Sequence, residues 1–186
     1  TLPRVNYKIV VDAVIFDLDG TLIDSAPIYY QIIDIIFERL SIPPVPKTTL
    51  LEAMKDGDFD WDYVLPVDMK SRKKELIDKA QGIIAEIALP LFRSQVKLIP
   101  GTAEALKAIT AEGLRLALVT SSLREFMEVK LAPFRRAGIE NLLEIVITAD
   151  DVQHKKPHAE PLVICSEKLG VLPKQCLYVG DTCVDI

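Results

Sequence analysis

The stretch "AVIF", residues 13–16, is β-branched and aromatic, has no outward polar alternation, and runs straight into Asp17, Leu18, Asp19 and Gly20. A strand with one wet face alternates apolar and polar residues; one without alternation is covered on both faces, as in the interior of a parallel sheet. The same style returns in "LRLALV", "LLEIVIT" and "CLYV", each separated from the next by a stretch of helical period. Parallel neighbours cannot be joined by a tight turn and need a crossover, normally a helix. The expected fold class is therefore α/β, a doubly wound, Rossmann-like parallel sheet with right-handed crossovers and a site at the carboxyl ends of its strands.

One segment departs from this alternation. Ile28, Ile32, Ile35, Ile36 and Leu40 recur at helical spacing until "SIPPVP" stops the helix, and residues 47–97 continue with helical patterns and little strand signal. The spacing predicts an all-helical insertion at 26–97, set between the first strand and the rest of an α/β core formed by 1–25 and 98–186. No internal repeat or low-complexity tract interrupts this scheme.

Composition limits what such a chain does. With 186 residues, 49% of them hydrophobic, it has enough apolar side chain for one good core. A net charge of −5 offers no basic field for a phosphate backbone, so a nucleic-acid partner is not expected and a small ligand is. Cys165, Cys176 and Cys183 show no CxxC spacing, and His154 and His158 complete no zinc pattern. These are read as reduced thiols and loop histidines in a cytoplasmic protein. The early apolar run "IVVDAVIF" is broken by Asp12 and is too short for a bilayer, so no membrane association is expected. Nothing in the sequence bears on oligomeric state.

Each expected strand ends in polar groups: Asp17 and Asp19, then Thr120 and Ser121, then Asp150 and Asp151 with Lys156 shortly after, then Asp181. In a parallel sheet these ends converge. Two carboxylates about 4 Å apart repel by about 4 kcal/mol at an effective dielectric of about 20, unless a cation or a proton intervenes. All-oxygen ligation by Asp17, Asp181 and Asp185 suits Mg²⁺ rather than zinc. A hydroxyl and an ammonium opposite that ion favour an anion with several oxygens, which points to phosphate, and Gly20 would let backbone N–H groups approach it. The parts assemble into phosphoryl transfer: Asp17 as nucleophile, Asp19 as acid and base, Thr120 (with Ser121 beside it) and Lys156 on the phosphoryl oxygens. Pro157 selects Lys156 over Lys155 as the inward lysine. Asp150 and Asp151 are read as turn caps, Asp24 and Ser25 as either a helix start or a hinge, and Phe59, Trp61 and Tyr63 as core, with a substrate-facing wall as the alternative.

"DLDGTL" at 17–22, "VTSS" at 119–122, "KKP" at 155–157 and "GDTCVD" at 180–185 resemble, in order and strand context, the four motifs of the haloacid dehalogenase superfamily. The resemblance implies a Mg²⁺-dependent phosphatase of small phosphorylated metabolites working through an aspartyl-phosphate, with the insertion at 26–97 as a helical cap. It also puts the backbone carbonyl of Asp19 on the metal and makes Asp185 a ligand or a neighbour of one. "GTLIDSAP" and "KPHAEPL" are most similar to the phosphoglycolate phosphatase group, with Ala159 where that group commonly has proline. Relatives continue past the fourth motif with a helix and a strand, so one edge of the core is expected to be missing at Ile186. Asp19 argues against a dehalogenase, and the long insertion against a receiver domain. A sugar phosphomutase, in which Tyr29 would usually be histidine, and a non-catalytic binding protein are the alternatives.

Overall fold

The computed structural model describes residues 11–55 and 59–185; the strand-edge expectation at Ile186 and part of the helical reading that ran through 56–58 fall outside them. Four strands, β1 (Ala13–Phe16), β2 (Arg115–Val119), β3 (Leu143–Ile147) and β4 (Cys176–Val179), form one sheet in the order β3-β2-β1-β4. All three pairings are parallel. The chain winds outward from β1 through β2 to β3 and then returns to β1's other side as β4, so the order reverses beside β1, the place where such sheets bind ligands.

Register decides what meets there. Phe16 lies opposite Leu118 on one side and Val179 on the other. Asp17 and Gly180 therefore leave the sheet at one level, and Thr120 leaves it one residue further along β2. The Asp17 N–H donates to the Val179 carbonyl at 2.8 Å and the Thr120 N–H to that of Ile147 at 2.9 Å, so the ladder holds both residues at the edge.

All four residues of β1 are buried, as the lack of alternation required. Val14 and Phe16 join a large apolar cluster on one face, while Ala13 and Ile15 join a smaller one with Ala117, Val119, Cys165 and Leu169 on the other. The smaller face is closed by helix α7 (Glu160–Leu169). On the larger face, the apolar residues of the helices between β1 and β2 are continuous with the sheet's own cluster.

The first three of those helices are α1 (Ala26–Leu40), α2 (Lys47–Met54) and α3 (Lys73–Gln95). Pro27 fixes φ in the first turn of α1, and Ser41 ends it in a left-handed conformation ahead of Pro43 and Pro44. Ile28, Ile32, Ile33, Ile36 and Phe37 form the buried stripe of α1, and Leu76, Ala80, Ile87 and Phe92 that of α3. Within the span 47–97 that the spacing reads as helical, Val67–Arg72 is a 3₁₀ segment preceding α3.

Helix α4 (Thr102–Ala111) leads into β2, and the helical stretch between β2 and β3 is broken into two short pieces, α5 (Met127–Lys130) and α6 (Ala132–Arg136). Pro133 has no N–H to continue the ladder, which accounts for the break. Where the chain leaves and re-enters the core, the two connections pair: Asp24 N–H donates to the Lys97 carbonyl at 3.0 Å and Ile99 N–H to that of Leu22 at 3.0 Å. No described helix is long and apolar enough to cross a membrane.

Candidate active site

The site begins with a packing requirement. Gly20 has φ of 82°, in the left-handed region, and a Cβ there would lie 2.2 Å from Asp181 Oδ2. Only glycine lets the turn after β1 pass this close to the turn after β4. Asp181 also accepts a hydrogen bond from Thr21 Oγ1 at 3.2 Å. One carboxylate oxygen from each of Asp17, Asp181 and Asp185 lies within 4.8 Å of the others.

Two buried lysines divide the carboxylates between them. Lys156 Nζ donates to Asp17 Oδ1 and to Asp185 Oδ1, both at 2.6 Å, and to the Tyr178 hydroxyl at 2.9 Å. Asp185 is held on every side: Tyr178 OH donates to Oδ1 at 2.8 Å, while the N–H and hydroxyl of Thr182 donate to Oδ2 at 3.0 and 2.7 Å. Burial alone would raise its pKa, but the bonds from Lys156, Thr182 and Tyr178 outweigh that and hold it below the ordinary carboxylate range. Asp17 is different. It is 5% exposed, and burial pushes its pKa up to about 6 although Lys156 opposes the shift; the charges of Asp185 and Asp19 add to it.

The second lysine is Lys130, the last residue of α5, and it is 1% exposed. Its Nζ donates to both oxygens of Asp19 at 2.7 Å, to Ser122 Oγ at 2.7 Å and to Tyr29 OH at 3.0 Å. The ammonium lies 4.5 Å from the ring centre of Phe92 and 5.3 Å from that of Tyr29, a cation–π contact from the helical insertion. Burial would lower its pKa, but Asp19 and Tyr29 more than compensate and raise it. Ser122 Oγ donates to Asp19 Oδ2 at 2.8 Å. Asp17 and Asp19, two residues apart in sequence, thus answer to different cations.

Thr120 is buried, and its hydroxyl oxygen accepts the Ser122 N–H at 3.1 Å, which leaves its own hydrogen for a ligand. Ser121 is exposed at the mouth of the same space. A cavity of about 710 Å³ opens over Asp17, Asp19, Thr120, Lys156 and Asp181 and runs up between α1 and α3.

The metal role expected of Asp19 falls on its backbone carbonyl, and its carboxylate is bound by Lys130 and Ser122. Ser121, expected beside the phosphoryl group, stands at the mouth of the cavity, while its neighbour Ser122 bonds Asp19 and Lys130; Lys130, Tyr178 and the hydroxyl of Tyr29 are partners that the sequence does not announce by motif. Lys130 did leave a signal: in "FMEVKLAPF" it sits at helical spacing from Phe126, Met127 and Phe134, and a lysine on an apolar stripe is buried only when paired. Asp150 and Asp151 are turn caps, Asp150 accepting the Arg124 N–H at 2.6 Å and Asp151 the Thr148 N–H at 2.8 Å. Phe59 and Trp61 line the cavity.

A second group, His154, His158 and Glu160, also lies within 4.8 Å, but it is tied up in its own loop. Glu160 accepts the N–H groups of Gln153 and His154, and His158 Nδ1 accepts that of Glu160.

The comparisons with known proteins decide the family: residues 14–186 match haloacid dehalogenase-like hydrolases. The chain belongs to that family. It is 32% identical to the phosphoglycolate phosphatase of Escherichia coli K12 over 95% of this chain and 76% of the relative. Among solved structures, a haloacid dehalogenase (HAD) superfamily hydrolase of subfamily IA from Geobacter sulfurreducens is 27% identical with a TM-score of 0.67, covering 94% of this chain and 82% of its own. A HAD family hydrolase from Deinococcus radiodurans, solved with bound phosphate and sodium, is 26% identical with a TM-score of 0.69, covering 94% of this chain and 74% of its own. By homology the protein is a phosphatase of the HAD family, phosphoglycolate phosphatase-like. The Asp17–Asp181–Asp185 group suits a hard divalent cation on its own chemistry: three carboxylates meet one ammonium, and that ammonium reaches two of them.

The Gly20 turn gives a direct test. Gly113 also has positive φ, at 81°, but a Cβ there meets nothing within 4 Å. Gly113→Ala should cost about 1 kcal/mol in urea unfolding, from backbone strain alone. Gly20→Ala should cost more, up to about 3 kcal/mol, and should weaken divalent-cation binding, which Gly113→Ala should not touch. Equal costs and equal cation binding would show that the approach to Asp181 is unimportant.

Proposed function

We propose that the protein hydrolyses a small phosphate monoester through an aspartyl-phosphate at Asp17. The observation that carries this is the division of the two acids: Asp17 faces Lys156 and Asp185, Asp19 faces Lys130 and Ser122, and both open onto one cavity. An Asp17 oxygen attacks phosphorus as the ester P–O bond breaks, and Asp19 gives its proton to the departing alkoxide, which leaves as the alcohol. Water then attacks the phosphorus, Asp19 takes up its proton, and the bond to Asp17 breaks to release inorganic phosphate. Thr120 and Lys156 hold phosphoryl oxygens, with Gly20 and Ser121 beside them, and Lys130 fixes the direction in which Asp19 points.

Mg²⁺ held by Asp17, Asp181, the Asp19 carbonyl and Asp185 would offset charge between nucleophile and phosphate. The bonds on both Asp185 oxygens favour an orienting role for it. Residues 26–97 act as a cap on the core formed by 1–25 and 98–186, its paired connections at Asp24–Lys97 and Leu22–Ile99 serving as the hinge. The unpaired cysteines fit a reducing cytoplasm.

Substitution separates the two acids. Asp17→Asn should abolish turnover and covalent adduct. Asp19→Asn should lose about 10² to 10⁴ in rate on alkyl phosphates, much less in the first step on an activated aryl phosphate, and should accumulate a phosphoenzyme visible by intact mass after rapid quench. An adduct on Asp17→Asn, or equal single-turnover losses for both ester classes in Asp19→Asn, would reverse the assignment.

Metal dependence follows from the same groups. Activity should vanish in EDTA and return with Mg²⁺; full activity in chelator would refute a metal role. Since Asp17 holds its proton below about pH 6 and must release it to bind a cation, calorimetric Mg²⁺ affinity should fall by about tenfold per pH unit below that value. A flat affinity from neutral pH to pH 5 would contradict this.

A further inference from the structure

The cavity above the acids has two unlike ends. At the sheet edge it carries the carboxylates, hydroxyls and ammonium already described. Beyond them its walls are Ile33 and Phe37 of α1, Ile77 and Ile84 of α3, and Met54 and Trp61 between those helices. Among the described lining residues, the only polar side chains from the insertion are Tyr29, whose hydroxyl is taken up by Lys130, and Gln81. The only cationic one is Lys156, which Asp17 and Asp185 already engage. Residues 56–58 are Asp, Gly and Asp in sequence and add no positive charge. Lys55, next to them, pairs with Glu52 and is not among the lining residues.

This end is unsuited to a charged leaving group. A second carboxylate on the substrate would leave water for apolar walls with no cation of its own, above four carboxylates, and an unpaired buried charge is strongly unfavourable. An apolar group, in contrast, gains in proportion to the area it covers. The volume, about 710 Å³, is in the range of about 300–1,000 Å³ typical of pockets for whole organic ligands, more than a phosphoryl group needs. Trp61 and Phe59 meet edge to face at 5.3 Å and are only partly buried, leaving aromatic surface for an occupant.

We infer that the substrate is the phosphate monoester of an uncharged, apolar alcohol, an alkyl chain or aromatic ring seated between α1 and α3, and not an ester whose alcohol carries a carboxylate. This rests on the phosphatase reading and sets its leaving group.

The test is a chain-length series with the full chain and Mg²⁺: methyl, ethyl, butyl and hexyl phosphate, with 2-phosphoglycolate alongside. Burial of each methylene should raise kcat/KM about fourfold, and hexyl phosphate should exceed phosphoglycolate by more than tenfold. Ile84→Arg, at a partly buried position, should cut the ratio of hexyl to methyl phosphate turnover at least tenfold and improve phosphoglycolate relative to both. A flat series, or phosphoglycolate as the best substrate of the wild type, overturns the inference while leaving the phosphatase reading intact. If no ester is hydrolysed, the phosphatase reading fails. Calorimetry then decides the cavity separately: hexylphosphonate binding more tightly than methylphosphonate upholds an apolar-tail site, and equal or absent binding overturns it.

Discussion

The side chains of Lys156 and Lys130 are 6% and 2% exposed, and neither position would tolerate an ammonium without carboxylates in contact. The reverse holds as well: Asp17, Asp19, Asp181 and Asp185 crowd one sheet edge, and without buried cations their mutual repulsion would oppose the turns that bring them there. The arrangement is therefore one coupled object. Lys156 joins the turn after β1 to the turn after β4, and Lys130 joins the turn after β1 to the helix that follows β2. What remains is an excess of negative charge at Asp181 and Asp17, a natural place for a divalent cation.

Parallel register makes this possible. Because Phe16 stands level with Leu118 and Val179, three turns leave the sheet together, and side chains more than a hundred residues apart come within hydrogen-bond reach. The insertion takes part in the same network. Tyr29 of α1 and Phe92 of α3 surround the Lys130 ammonium, so the helices above the site contact the residue that orients Asp19. Any movement of those helices on their paired connections would be felt at that lysine.

Much of the fold was legible because its signals are local. An unalternated strand, an amphipathic stripe such as that of Ile28 to Phe37, and a proline stop each depend on a few neighbouring residues. The strand-end positions of Asp17, Thr120 and Asp181 follow from the same reading, since a parallel sheet gathers its carboxyl ends. Boundaries were less legible: 67–72 forms a 3₁₀ segment and Pro133 splits a helix, in each case through backbone hydrogen bonding that a periodic pattern does not report.

By itself the sequence determined the order of elements, the parallel sheet and the residue types available at its edge, because periodicity and turn chemistry act over a few residues. Which acid pairs with which cation was decided only in three dimensions. Lys130 reaches Asp19 across 111 residues, and Ser122 rather than Ser121 turns toward it, because the last turn of α5 and the loop after β2 take their orientation from the whole apolar cluster beneath them. The apolar end of the cavity has the same origin. Ile33 and Ile84 lie some fifty residues apart and Trp61 between them in the chain, and only the packing of α1 against α3 over the sheet edge brings the three to one cavity.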